Sequence, residues 1–202
     1  DPIQADNGRK YNVLHHFGYL YSNLKLTKRG FFTAGFSYDA YNDNDLESSL
    51  KKNKINPKFG IEWEVNQNLS LRATSYRTIK SPIFNNQLLQ PVQISRFIQF
   101  YDDINGTEAW QNGIGVDANF NKSIYAGFEA FLRNLKIPFP ENSLKADEKL
   151  YRLYFHWIIN NNLVVNSEIR SENFDYKEDI PIYPKDLRTL YVPTEIRYFN
   201  PN

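Results

Sequence analysis

Few side chains in this 202-residue sequence have the type and spacing that chemistry requires. Asp102 and Asp103 stand just before Asn105-Gly106, and such a run of oxygen-bearing side chains could form part of a calcium loop. The run supplies only a fragment of an oxygen cage, so the two acids are weak metal candidates. A hairpin-type turn at Asn-Gly is the favoured interpretation of this stretch.

Two pairs of acids could act as general acid and general base. Glu62/Glu64 and Glu168/Glu172 each lie on one face of a predicted strand, but as a catalytic pair they would need a sugar-binding cleft. Structural charge that is neutralised by arginines is the favoured alternative. The expected partners are Arg72 and Arg170.

The histidines offer little more. His15 and His16 are adjacent and could bind a metal, but His156 is the only other histidine and no cysteine is available. Neither a G-x-S-x-G nucleophile motif nor a glycine-rich phosphate loop occurs. We therefore predict no catalytic residue, no cofactor and no enzymatic function, and we interpret His15-His16 as a pair that lies before the first strand.

The composition narrows the class of protein. Lys and Arg number 24 against 23 Asp and Glu, so no nucleic-acid partner is indicated. No run of about 18 apolar residues exists, which excludes a transmembrane helix. The chain is nevertheless rich in aromatics, with 14 Tyr, 15 Phe and 3 Trp, although its mean hydropathy is -0.60. Both a soluble carbohydrate-binding β domain and an outer-membrane barrel have this character.

Short turn signals and longer polar stretches alternate along the chain. The short turns fall near residues 27–30, 66–68, 121–123, 160–162 and 200–202. The segments between them alternate apolar and polar residues with a period of two, which predicts nine strands of about ten residues, starting with Tyr19 to Leu26. That length is what a tilted strand needs to cross a bilayer, and Pro193 interrupts the last strand.

Each predicted strand has one apolar and one polar face. In a barrel the polar face would line the lumen, although a solvated sandwich exterior would show the same charges. The predicted lumen-lining residues are Glu62, Glu64, Arg72, Asp117, Glu129, Arg133, Arg152, His156, Glu168, Arg170, Glu195 and Arg197.

Large aromatics on the apolar face lie close to the strand ends. Bands of this kind are typical of the two interfaces of a membrane and have no reason to form in a sandwich core. The predicted interface aromatics are Phe32, Trp63, Trp110, Phe120, Trp157 and Tyr198.

We therefore predict an all-β fold, an antiparallel transmembrane outer-membrane β-barrel. Short turns would face the periplasm and long loops the exterior, with residues 81–108 as the longest outer loop. Residues 1–202 would be part of one barrel domain, a fragment of about nine strands with further strands expected beyond both ends, because open sheet edges are costly in lipid.

The sequence also resembles a known family. The matching stretches are NPKFGIEW (56–63), LSLRATSYRT (69–78), NQLLQPVQISRFIQFYDDINGTEAW (86–110), GIGVDANF (113–120), IYAGFE (124–129) and EIRYFNPN (195–202). They resemble the β-barrel of bacterial outer-membrane proteins that carry tetratricopeptide repeats, which is itself similar to the barrels of TonB-dependent receptors. The resemblance implies a Gram-negative outer-membrane location, a lipid bilayer as partner, and a role in transport.

Three functions stay open. The first is transport or export of a solute or polymer across the outer membrane. The second is a structural barrel that anchors a periplasmic repeat domain or other envelope proteins. The third is a soluble β-rich module for glycan binding or adhesion, in which the tyrosines would serve as stacking platforms.

Overall fold

The computed structural model describes residues 13–43, 50–80, 93–99, 103–139, 143–179 and 184–200, and these contain strands and turns but no helix. No helix in this part of the chain could therefore cross a membrane. The strands are β1 (Val13–Lys25), β2 (Gly30–Asp43), β3 (Leu50–Glu64), β4 (Leu69–Ile79), β5 (Gln93–Ile94), β6 (Phe97–Ile98), β7 (Glu108–Asn119), β8 (Ile124–Ile137), β9 (Leu144–Asn160), β10 (Leu163–Tyr176), β11 (Asp186–Tyr191) and β12 (Thr194–Tyr198).

One antiparallel sheet contains all the strands except β5 and β6. Its order is β1-β2-β3-β4-β7-β8-β9-β10-β11, and β12 pairs with β10 beside β11. Each long strand pairs with the next one along the chain, as in the wall of an up-and-down barrel. The predicted strands are all present, and β5 and β6 form a small hairpin that the sequence did not predict.

Short turns join neighbouring strands at one end of the sheet, which we call the short-turn end; the opposite end is the long-loop end. Three of the turns use the same device. The side chains of Asn66, Asn121 and Asn160 each accept a hydrogen bond, 2.8–2.9 Å long, from the backbone N–H two residues further on. This Asx turn is why asparagine recurs at these positions.

Pro193 breaks the last long strand without shifting its register. Tyr191 pairs with Arg170 and Thr194 pairs with Ser167, so β11 and β12 continue one line along β10. The Glu168 N–H still donates to the Pro193 carbonyl at 3.0 Å. Because proline has no N–H, the reciprocal hydrogen bond cannot form, and the strand is interrupted there.

The strands are longer than the sequence pattern indicated. β1 begins at Val13, not Tyr19, so both His15 and His16 lie within the first strand, and the prediction that they precede it was wrong. β9 runs from Leu144 to Asn160. Its first residues, 144–147, were predicted to belong to a long polar loop over residues 134–147. Backbone pairing with neighbouring strands continues into these polar segments and extends the sheet.

The burial pattern is the reverse of that in a soluble β protein. On β4, Arg72 is 5% exposed whereas its neighbour Leu71 is 43% exposed. On β7, Asp117 is 3% exposed whereas Ile114 is 62% exposed. We call the face with the buried polar residues the inner face and the apolar face the outer face. A water-soluble sheet buries its apolar face, so this sheet is inside out.

Candidate functional site: the charged inner face

Arg72 is the centre of an ion-pair network on the inner face. From β4 its guanidinium donates to Asp117 on β7 at 2.8 Å and to Glu129 on β8 at 2.5 Å. It also donates to the Tyr154 hydroxyl on β9 at 2.9 Å. The side chains of Arg72, Asp117 and Glu129 are all more than nine-tenths buried, so bulk water hardly screens this network.

Asp117 also accepts hydrogen bonds from residues other than Arg72. The Tyr125 hydroxyl donates to it at 2.7 Å, and the Tyr154 hydroxyl donates to it as well. Arg96 of the β5–β6 hairpin lies 3.1 Å from the same carboxylate. Two cations and three hydroxyls, the third from Ser70 at 3.5 Å, therefore surround Asp117, which satisfies a carboxylate that would otherwise be costly to bury.

Gly127 provides the space that this arrangement needs. Gly127 pairs with both Asp117 and Tyr154 in the sheet. A Cβ atom at Gly127 would lie 2.3 Å from the Tyr154 hydroxyl oxygen, closer than any real contact. The absence of a side chain at Gly127 therefore lets the Tyr154 ring lie across the strand and reach Asp117.

The network continues across β9 and β10. Arg152 bridges Glu129 at 3.3 Å and Glu168 at 2.8 Å. Glu168 also pairs with Arg170 at 2.8 Å, and Arg170 lies 3.9 Å from Glu172. A connected chain of ion pairs thus extends from β4 to β10 on the inner face. The predicted pairing of the Glu168/Glu172 acids with Arg170 is confirmed.

The other predicted acid pair has a different partner. Glu62 stands directly opposite Arg72 in the β3–β4 register, and the sequence predicted a bridge between them. Arg72 is turned toward the acids of β7 and β8, and Glu62 pairs with Arg96 at 3.0 Å. The prediction was wrong because Arg72 forms buried ion pairs with two acids on the other side of its strand, Asp117 and Glu129. Glu64 is exposed near the short-turn end.

A second cluster lies toward the long-loop end. Arg133 on β8 pairs with Asp103 at 2.6 Å and with Glu148 on β9. The negative charge of Asp103 is therefore neutralised by Arg133, and no metal ion is needed to account for it. Asp102 lies outside the described residues. In the described part of the chain, no three or more His, Cys, Asp or Glu residues lie close enough together to hold a metal ion.

The Asn105-Gly106 stretch forms a turn, as predicted, but of a different type. Thr107 N–H donates to Ile104 carbonyl at 3.0 Å, and Gly106 has a φ of 83°. Positive φ at the second central residue alone defines a type II turn, not the type I′ turn of a two-residue hairpin. The turn is held by Lys80, whose carbonyl accepts from the Gly106 N–H at 2.7 Å.

The remaining predicted polar residues lie nearer the short-turn end. The His156 Nδ1–H donates to the Asn166 Oδ1 at 2.8 Å, and Tyr125 and Tyr154 flank the ring. Glu195 and Arg197 pair at 2.7 Å on β12 and are half exposed. At the long-loop end, just beyond β10, Lys177 donates a hydrogen bond to Asp147. This hydrogen bond raises the pKa of Lys177 above its ordinary value.

The predicted interface aromatics lie near the strand ends. Phe32 and Trp63 neighbour short turns, as do Phe120, Trp157 and Tyr198, and Trp110 lies near the long-loop end of β7. On the outer face Trp63 is 43% exposed and Trp110 is 38% exposed. Their assignment to membrane interfaces stays a prediction.

Several inner-face residues were missed by the sequence reasoning. Arg96, Ile94 and Phe97 belong to a segment that was predicted to be an outer loop, yet Ile94 and Phe97 are fully buried. A signal was present in the sequence, since apolar residues recur throughout residues 81–108, including Ile94 and Phe97, which is unusual for a solvated loop. Tyr125 and Tyr154 were also missed, because a tyrosine on a polar face has no signature of its own.

An inside-out antiparallel sheet with an ion-paired inner face defines a class, the outer-membrane β-barrels. No protein-family model matches this sequence, and no curated protein is significantly similar to it. Solved structures do share the fold, as follows.

The FrpB iron transporter from Neisseria meningitidis (F3-3 variant) has a TM-score of 0.61 at 15% identity, over 84% of this chain and 27% of that chain. The ferripyoverdine receptor of the outer membrane of Pseudomonas aeruginosa, bound to ferripyoverdine, has a TM-score of 0.60 at 13% identity, over 89% of this chain and 26% of that chain. The receptor in the FpvAI–pyocin S2 complex gives the same values as the latter. This chain therefore spans about a quarter of the length of these structures.

At such low identity the likeness concerns the fold. The predicted fold class, an antiparallel outer-membrane β-barrel, is confirmed. The link to tetratricopeptide-repeat proteins stays a prediction.

Proposed function

We propose that this chain is part of an integral β-barrel of the bacterial outer membrane that takes part in transport or export of a solute or polymer. The observation that carries the proposal is the inverted burial of the sheet. Apolar side chains such as Ile114 and Leu153 cover the outer face, and charged side chains such as Arg72 and Asp117 are buried on the inner face. Only an apolar solvent outside and a polar interior make this arrangement favourable.

The transport role draws on two further points. Similar folds occur in proteins described as an iron transporter and a ferripyoverdine receptor, although neither substrate carries over to this chain at 15% and 13% identity. The inner face also has charges of both signs arranged around a polar cleft. Its lining consists of Arg72, Arg96, Asp117, Tyr125, Glu129, Arg152, Tyr154 and His156. Such a mixture favours neither cations nor anions strongly.

A structural barrel that anchors a periplasmic domain is the second candidate. It is favoured by the saturation of the network, because Asp117, Glu129 and Glu168 each have at least two partners and so need no ligand. A soluble glycan-binding module is disfavoured, because its outer apolar face would be in contact with water.

Two measurements on the full-length protein test the proposal. A barrel should require detergent for extraction, and its migration in gel electrophoresis should change on boiling. Ready extraction in buffer without detergent would refute membrane integration. Conductance in a planar bilayer, or solute uptake lost on gene deletion, separates transport from anchoring, and a barrel that neither conducts nor supports uptake or export is an anchor.

A further inference from the structure

Part of the long connection between β4 and β7 lies on the inner face. The β5–β6 hairpin comprises residues 93–98, and its apolar residues Ile94 and Phe97 are fully buried. The Phe97 ring packs edge-on against Phe131 with centroids 5.1 Å apart, and the Arg72 guanidinium lies 4.4 Å from its centroid. The hairpin therefore covers the middle of the charged network.

Polar contacts hold the hairpin to the sheet along the strands. Tyr76 on β4 donates from its hydroxyl to the Ile98 carbonyl at 3.0 Å, and Lys58 on β3 donates to Gln99. Nearer the short-turn end, Arg96 donates to the Ser70 hydroxyl at 3.0 Å. The hairpin thus descends along β4 from Tyr76 to Ser70, toward the short-turn end.

Arg96 at the tip makes two further bonds. It lies 3.0 Å from Glu62 on β3 and 3.1 Å from Asp117 on β7, so one guanidinium joins strands on both sides of β4. About two-fifths of its side chain stays exposed, at 43%, and faces the polar cleft. Arg96 is therefore both an anchor for the hairpin and part of the cleft wall.

The turn at the tip is strained. Ser95 and Arg96 have φ values of 46° and 64°, the left-handed region that two-residue hairpins normally fill with Asn-Gly. Non-glycine residues are unfavourable in this region and persist only where the surroundings impose them. The contacts of Arg96 supply that constraint, and such strain is typical of functional elements.

The absence of a side chain at Gly60 on β3 makes room for this hairpin. A Cβ atom at Gly60 would lie 2.2 Å from the Ser95 Oγ and 2.9 Å from the Ser95 Cβ. Gly60 has no positive φ that would require glycine. The close approach of the hairpin is therefore the feature of the structure that excludes a side chain at this position.

We propose that the β5–β6 hairpin is a constriction element inside the barrel, pinned by Arg96 between Glu62 and Asp117, which narrows the passage and sets the charge of its remaining opening. This inference rests on the proposed function, since a constriction matters only where something passes. Removal of Arg96 would free the hairpin and leave two carboxylates without that cation, so the opening would widen and become cation-selective.

Disulfide trapping tests the position of the hairpin without reference to transport. These 202 residues contain no cysteine. Any cysteine elsewhere in the full-length protein would be replaced by serine. The double variant Gly60→Cys with Ser95→Cys should then cross-link in the folded barrel, because bonded Cβ atoms lie about 3.8 Å apart and the hairpin needs to recede by only about 1 Å. The control pair, Gly18→Cys with Ser95→Cys, should not cross-link, because nothing lies within 4 Å of a Cβ at Gly18, so Ser95 is out of reach.

Conductance of the full-length protein in a planar bilayer tests the constriction. Arg96→Ala should raise conductance by about twofold or more and shift selectivity toward cations. Gly60→Ala should also raise conductance by displacing the hairpin. If the hairpin were outside the lumen, the added methyl group would lower conductance or leave it unchanged, as expected for the control Gly18→Ala, where nothing lies within 4 Å of the added Cβ. Lys122→Ala removes one positive charge at an exposed short turn, away from the hairpin, and should change selectivity little.

The outcomes separate the two proposals. A heat-modifiable, folded barrel that fails to cross-link would overturn the hairpin assignment whatever the conductance. A cross-linked barrel whose conductance is unchanged in both Arg96→Ala and Gly60→Ala would overturn the constriction. A cross-linked barrel that is silent as wild type but conducts in these variants would support it. Silence in all three would refute the constriction and leave transport to be decided by uptake.

Discussion

The reversed burial of the sheet predicts how strongly charge on the outer face depends on position along one strand. Ile114 and Phe120 have nearly the same exposure, 62% and 67%. Ile114 lies in the middle of β7, and Phe120 follows the end of that strand at a short turn. In water both positions would accept arginine with almost no loss of stability. In a membrane they lie at different depths.

The depth difference can be worked out from the strand. Six residues separate the two positions, about 20 Å along a strand at roughly 3.4 Å per residue. With a tilt of about 45° this is about 14 Å along the membrane normal, near half of a hydrocarbon layer of about 30 Å. Ile114→Arg should therefore cost about 2–4 kcal/mol of folding free energy, and Phe120→Arg about 0–1 kcal/mol.

The assay is reversible folding of the full-length protein into phospholipid vesicles, followed by urea titration with tryptophan fluorescence and heat-modifiable migration as readouts. Ile114→Ala and Phe120→Ala correct for the loss of each native side chain. A difference between the two arginine variants of about 1–4 kcal/mol is expected after this correction. Equal costs below about 1 kcal/mol would refute the membrane assignment, since they are what a water-exposed face predicts.

Three further predictions follow from the inner face. Asp117→Ala should destabilise the folded barrel by about 3 kcal/mol, because it removes one of the two carboxylates that neutralise the buried Arg72 guanidinium. Glu195→Ala, which breaks an exposed pair, should leave the stability almost unchanged. Equal costs in urea titration would contradict the burial of the network. Gly127→Ala should lower the folding stability by about 1–3 kcal/mol, because the added methyl group displaces Tyr154. The control Gly18→Ala, where nothing lies within 4 Å of the added Cβ, should leave the stability unchanged in the same urea titration. Ser95→Gly should stabilise by about 1 kcal/mol, because it relieves a positive φ and removes a buried hydroxyl without a partner; a loss of stability would show that the tip is not strained.

Much of the sheet follows from local pattern. The period of two fixes which residues share a face, so the sequence placed Arg72, Asp117 and Glu129 together without knowledge of their partners. The asparagines of the short turns act through their own backbone neighbours, which made those turns predictable. Pro193 interrupts its strand for an equally local reason, the missing N–H.

Contacts between distant residues did not follow from the pattern. The register brings Glu62 opposite Arg72. The Arg72 side chain is long enough to reach several acids, however, and it contacts the buried Asp117 on β7 and Glu129 on β8. The β5–β6 hairpin was missed because its turn, Ser95-Arg96, lacks the Gly or Asn that usually marks a positive φ. Its conformation is imposed by Glu62, Asp117 and the space at Gly60, which are remote in sequence.

By itself the sequence determined that the chain forms long antiparallel strands with one apolar and one polar face, because side-chain alternation and turn chemistry act within a few residues. Alternation did not determine which face is inside, since it is the same in a sandwich and in a barrel, and only the aromatic bands favoured the barrel. The tertiary structure decided this by burying Arg72, Asp117 and Glu129 beneath a folded-in hairpin and exposing Ile114 and its neighbours. Burial is a property of the whole assembled sheet, and only the complete set of long-range contacts determines it.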